Sequence, residues 1–191
     1  DTLYVKNGYY TPTIDMYKNL QIEKQGAPNN YILIAAFPGH RPTIYVASMN
    51  GVQIWNSQYL EFRGFEVRGM DDPPVVNQFD TTMNGNGISA FGNIGNKYIR
   101  IVDNHVHHVG GNGIGVANSD QILILRNRVW HCTHRSDAGN SGIAITGPKN
   151  HAPTSQPYGY VVAENVAYDN VNTFACSCAG YSQITDGNGI I

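Results

Sequence analysis

The chain has 191 residues, of which 12 are Lys or Arg and 14 are Asp or Glu, giving a formal net charge of −2. That balance excludes a nucleic-acid binder that works by neutralising phosphates, and it excludes a charged disordered tail. No apolar run reaches the roughly 18 residues that a membrane-spanning helix needs.

Gly and Asn number 21 each, spread among β-branched residues, which points to many tight turns between short strands. In chain order, residues 1–8 read as a strand and turn, and 13–25 as a polar, irregular excursion. Residues 31–36 form a second strand, 37–42 a turn and 43–46 a third strand. Together, residues 1–50 read as one opening coil. The stretch 59–62 is the next strand, and 71–84, opening on Asp71-Asp72-Pro73-Pro74, is an inserted loop.

From there the chain repeats. Asn86-Gly87-Ile88, Asn112-Gly113-Ile114, Ser141-Gly142-Ile143 and Asn188-Gly189-Ile190 match one another, with glycines 26, 29 and 47 residues apart. Each of the first three is followed by a second strand: 98–102, 122–125 and 160–163. Each strand then turns into Asn104, Asn127 or Asn165, and Phe65 holds the same slot after strand 59–62. A second loop covers 150–158.

Repeats of this length with strands of about four residues fit the coils of a parallel β-helix, an all-β solenoid whose stacked coils share one core. An ordinary sandwich with Asn-rich turns is the alternative, but it has no reason to repeat Asn-Gly-Ile in one phase. The recurrent Asn suits an internal ladder, each bonding the next across coils. The whole chain, 1–191, is expected to be one such domain, with repeated coils from 51 to 191. Asn188-Gly189-Ile190-Ile191 begins a coil and stops. We therefore expect a longer native chain, or another copy of the chain, to cover the open coil end.

The opening Asp1-Thr2-Leu3-Tyr4-Val5-Lys6-Asn7-Gly8-Tyr9-Tyr10, the later Ala36-Phe37-Pro38-Gly39-His40-Arg41-Pro42-Thr43-Ile44 and the Asn-Gly-Ile coils resemble the right-handed parallel β-helix proteins of the pectate-lyase-like superfamily. The resemblance covers essentially the whole chain. It implies a secreted, periplasmic or cell-surface protein acting on an acidic polysaccharide. Some members use an aspartate cluster for calcium and a lysine or arginine as Brønsted base. This chain shows no match to that cluster, and Lys97 is the only lysine between residues 25 and 148.

Register places side chains. If Asn104, Asn127 and Asn165 stack, then Glu66, His105, Arg128 and Val166 stack one position on, and Arg68, His107, Trp130 and Tyr168 three positions on. Strand alternation puts both rows on one outward face, with Val106 and Val129 inward. Such a stripe of rings and cations suits a saccharide groove. Arg68 and Arg128 are candidate carboxylate clamps, and Trp130 and Tyr168 candidate platforms. A solvated solenoid face carrying such residues by chance is the alternative. β-Elimination needs a base, which a neutral His supplies. His105, His107 and Arg128 are therefore the candidate catalytic residues. His134 and Arg135, on the loop before Ser141, are candidate substrate contacts.

One position further on, His108, His131 and Asp169 fall in consecutive coils about 4.8 Å apart. They form a candidate transition-metal set, or a hydrogen-bonded turn stack with no metal. Asp71, Asp72 and Asp80 are a candidate calcium set, or a turn. Cys132, Cys176 and Cys178 are odd in number, so one at least lacks a partner within the chain. A buried or disulfide-bonded role is expected for Cys176 and Cys178 rather than a reactive one, with Cys132 a candidate partner.

The leading expectation is a polysaccharide lyase. A noncatalytic glycan-binding or surface spike module is the second. A glycoside hydrolase or epimerase is the third, although no pair of acids is set apart for hydrolysis.

Overall fold

The computed structural model describes residues 1–11, 15, 17–69, 85–134, 140–149, 159–172 and 187–191. All regular structure among them is β-strand. None of it is a helix long and apolar enough to cross a membrane.

Three parallel sheets run side by side. The first sheet stacks β1 (Thr2–Val5), β4 (Ile32–Ala36), β7 (Gln58–Arg63), β10 (Lys97–Val102), β13 (Asp120–Leu125) and β16 (Tyr160–Ala163). The second stacks β2 (Tyr9–Tyr10), β5 (Thr43–Tyr45), β8 (Glu66–Arg68), β11 (His105–His107), β14 (Arg128–Trp130) and β17 (Val166–Tyr168). The third stacks β3 (Leu20–Ile22), β6 (Asn50–Trp55), β9 (Asn86–Phe91), β12 (Ile114–Ala117) and β15 (Ile143–Thr146). Each strand along the chain joins the next sheet in rotation, so three strands make one coil. Ile190 continues the third sheet by bridging to Ile143. This is the parallel β-helix expected from the repeats.

The opening 50 residues hold more than one coil. Leu20–Ile22, inside the stretch read as a polar excursion, pairs with Val52–Ile54 and completes a first coil. A three-residue strand is too short for its alternation to show in sequence. Asn50-Gly51-Val52 is a further copy of the repeated motif, with Asn50 in register with Asn86.

The core lies between the sheets as columns of like residues. Leu60, Ile99 and Ile122 form one column, and Val67, Val106 and Val129 another. All six are buried. Each such side chain contributes about 1.5–3 kcal/mol relative to exposure.

The corner between first and second sheets is the same in the four coils from β7 to β17. Gly64, Asp103, Arg126 and Glu164 all have positive φ, the left-handed conformation that closes the turn. The residue after each is Phe65, Asn104, Asn127 or Asn165. Asn127 Oδ1 accepts from the Asn104 N–H at 3.0 Å and from its Nδ2 at 3.1 Å. Asn165 Oδ1 serves Asn127 in the same way, at 2.8 and 3.0 Å. The Phe65 N–H ends the ladder on Asn104 Oδ1, and its ring stacks on Phe62 instead. A second ladder, Asn50, Asn86 and Asn112, tacks down the start of the third sheet.

Candidate functional site

The outer face of the second sheet carries the row read from sequence. Glu66, His105, Arg128 and Val166 are mutual register partners, and so are Arg68, His107, Trp130 and Tyr168. Thr43 and Tyr45 extend the two rows by one coil. The intervening Val67, Val106 and Val129 face the core.

Glu66 and His107 form the centre of this face. His107 Nε2 lies 2.9 Å from Glu66 Oε1, and the Thr43 hydroxyl donates to Glu66 Oε2 at 2.5 Å. Burial acts to raise the Glu66 carboxyl, but hydrogen bonds from Thr43 and His107 and the charge of Arg68 outweigh it and hold it below its usual range. His107 Nδ1 lies 2.7 Å from His108 Nδ1, so both ring nitrogens of His107 face protein partners.

His105 differs. It is half-buried, and burial together with the guanidiniums of Arg41 and Arg128 holds its imidazole below the ordinary value. It is therefore predominantly neutral at pH 7.

A cleft of about 730 Å³ adjoins Glu66 and is lined by Asn7, Tyr9, His40, Arg41 and Thr43 among others. Its rim is built by turns of the first two coils. The Asn7 N–H donates to His40 Nδ1 at 3.0 Å, and Asn7 Oδ1 accepts from the Arg41 N–H at 2.6 Å. Sequence reading placed His40 and Arg41 in a turn and gave them no role. The only signal was their position one corner before Thr43, in a coil whose boundaries were hidden.

The aromatic residues are arranged as a stack along the helix axis. The His107 and Trp130 rings lie 4.1 Å apart and 14° from parallel. Trp130 and Tyr168 lie 6.0 Å apart and 3° from parallel. The three rings are thus nearly parallel, with Trp130 between His107 and Tyr168. Arg128 sits 5.2 Å from the Trp130 ring and 5.3 Å from the Tyr168 ring, and its Nη2 donates to the Tyr168 hydroxyl at 2.8 Å. Its guanidinium is thereby held in one place while remaining exposed.

Next to this face is a corner rich in imidazoles. His108, His131 and Asp169 all have positive φ, so three consecutive coils turn identically there. His131 Nδ1 lies 2.9 Å from Asp169 Oδ2, and this hydrogen bond holds the Asp169 carboxyl below its usual range against a smaller opposing effect of burial. The His108 and His131 rings are 4.4 Å apart, and those of His131 and His134 are 3.7 Å apart. Donor atoms of His131, His134 and Asp169 lie within 4.8 Å of one another, a set able to chelate a metal ion. The set expected from the ladder had His108 where the structure has His134. Nothing in this donor set is specific for calcium.

Arg135, Asp71, Asp72 and Asp80 lie outside the described residues, as do Cys176 and Cys178. Cys132 is a free thiol in the core, and burial pushes it up to about 12, which makes it inert.

No family model matches the chain, and no curated protein matches it. Among solved structures, the crystal structure of pectate lyase Pel9A is similar with a TM-score of 0.47 and 16% identity, over 91% of this chain and 56% of that chain. The chain thus spans just over half the length of that protein's chain. At this identity the likeness concerns the path of the chain and not its side chains.

Proposed function

We propose that the chain is a carbohydrate-active protein that binds an acidic polysaccharide along the outer face of the second sheet and cleaves it by β-elimination. The observation that supports this best is the setting of His105. It stands in register between Glu66 and Arg128 on an open face, with Arg41 near enough to act on its charge. β-Elimination at a uronate needs the carboxylate neutralised and the adjacent C–H proton removed. Arg128 and Arg41 supply positive charge for the first, and a neutral imidazole supplies the base for the second. The C5 proton passes to His105, the C4–C5 double bond forms, and the C4–O bond breaks. The leaving oxygen takes its proton from water on the open face.

His107 is a positioning residue in this reading, because Glu66 and His108 engage its ring. Arg68 and Tyr168 extend the binding face, with Trp130 supporting Arg128. A substrate of this kind places the protein outside the cytoplasm.

A noncatalytic glycan-binding module is the second reading. The engaged nitrogens of His107 and the face-to-face rings favour it, since both make this surface a rigid structure.

The test is the ultraviolet absorbance of the unsaturated uronate product, followed with pectate, alginate and glycosaminoglycans. A rise that disappears in His105→Ala, with Arg128→Ala raising KM, supports the lyase. Binding without any rise overturns it in favour of the binding module.

A further inference from the structure

We propose that His131, His134 and Asp169 form a binding site for a zinc-class divalent transition metal, at the corner where the second sheet turns towards the third. Two imidazoles and one carboxylate match the three-ligand pattern of open zinc sites, in which a fourth position is left for water or substrate. Nitrogen donors disfavour calcium and magnesium, which take oxygen ligands.

Three observations show a built site rather than a chance meeting of polar groups. First, the donors already lie within 4.8 Å of one another, and zinc ligands at about 2.0–2.1 Å from the ion need only a small closure from there. Second, the tautomer of His134 is fixed. Its Nδ1 lies 3.1 Å from the Cys132 carbonyl oxygen, which only accepts, so Nδ1 carries the proton and Nε2 keeps its lone pair. An outer-sphere carbonyl on the far nitrogen is the usual partner of a metal-bound histidine.

Third, the backbone beneath the donors is pinned. The Cys132 N–H donates to Asn170 Oδ1 at 3.0 Å, and Asn170 is buried. His131 and Asp169, the residues just before these two, are thus held one coil apart. The His108 ring packs against His131, with ring centres 4.4 Å apart.

The site lies one residue beyond Trp130 and Tyr168, at the edge of the ring stack. A groove ligand would reach its open position through an oxygen. The inference does not rest on lyase activity, because its readout is metal binding.

Protein stripped with chelator is titrated calorimetrically with Zn²⁺ and Ca²⁺, and Co²⁺ is followed by its visible absorption. One Zn²⁺ is expected per chain, with Co²⁺ bands of an imidazole-carboxylate site and no competition from Ca²⁺. His134→Gln and Asp169→Asn should each weaken Zn²⁺ binding by more than the roughly tenfold to hundredfold that loss of an outer-sphere partner costs. Unchanged far-ultraviolet circular dichroism checks that each variant folds. Absence of Zn²⁺ binding, undiminished binding in both folded variants, or a preference for Ca²⁺ overturns the proposal. The first or second result would leave the corner a hydrogen-bonded turn stack.

Discussion

His107 and Glu66 are 41 positions apart in the chain, yet His107 Nε2 lies 2.9 Å from Glu66 Oε1. The register partner of Glu66 is His105, so His107 reaches it diagonally across one coil step. Thr43, one coil earlier, donates to the other carboxylate oxygen. Three successive coils of the second sheet are therefore tied together on their outer face by one carboxylate. On their inner face Ile44, Val67 and Val106 are buried in the core.

Glu66 should make stability depend on acid. Its carboxyl is depressed in the folded chain, so the stabilisation is fully present above the unfolded value, near about 4.3, and is lost as pH falls through the lower folded value. Glu66→Gln keeps the size and the acceptor but removes the charge. We expect it to lower stability by about 1 kcal/mol at neutral pH, and this deficit to vanish in acid. Urea denaturation of both proteins at a series of pH values reads the effect. A deficit constant with pH would contradict it.

In the proposed β-elimination, His105 should set the acid limb of the activity profile. A base works when neutral, so kcat/KM rises as pH passes upward through its pKa. That pKa lies below the ordinary value near about 6.5 because of burial, Arg41 and Arg128. Removing one of the two guanidiniums lets the imidazole titrate higher. Arg41→Ala is expected to move the acid limb towards neutral pH, and the measurement is kcat/KM against pH on the best acidic polysaccharide. A limb that stays in place would remove Arg41 from the electrostatics of the site.

The Asn ladder should be the most sensitive polar feature of the fold. Asn127 is 1% exposed, and its amide serves Asn104 on one side and the Ile101 carbonyl on the other. Asn127→Ala strands the Asn104 N–H inside the core and removes the second donor from the Ile101 oxygen, which keeps its bond within the sheet, at a cost of about 1–3 kcal/mol. Asn165→Ala strands equivalent groups at a more exposed rung, where water replaces part of the loss, and should cost less. Guanidinium midpoints of the two variants give the comparison, and equal losses would show that rung depth does not matter.

Much of the architecture was readable from those asparagines. Once Asn104, Asn127 and Asn165 are taken as one column, the register of β8, β11, β14 and β17 follows by counting, and with it the outward row from Glu66 to Tyr168. Counting does not give side-chain torsions. The stacking of His107 on Trp130 therefore could not be foreseen. His134 replaced His108 in the donor set because it lies past Cys132, off the ladder, where no repeat fixes position. Arg41 and His40 were missed because β3 offers only three residues of pattern, which merged two coils into one.

The glycine of the repeated motif should not tolerate even a methyl group. At Gly113 an added Cβ would run into Val129 Cγ1 and would lie 2.7 Å from the Gly142 carbonyl oxygen and 3.1 Å from Cys132 Sγ. Gly87 meets Val106 and the Gly113 oxygen in the same way, so the clash recurs in each coil. The carbonyl belongs to the neighbouring coil and is fixed by its hydrogen bond from the Ile114 N–H at 2.9 Å, and so it cannot withdraw. Only a local spreading of the coils relieves the contact, and overpacking of this kind typically costs about 1–3 kcal/mol. Gly115 is the matched control. There a Cβ meets only the Asn112 side chain, no closer than 3.4 Å. Gly113→Ala should therefore lower the thermal midpoint clearly and Gly115→Ala little. Equal shifts would mean that the loss reflects backbone preference alone and that the coils do not touch through these glycines.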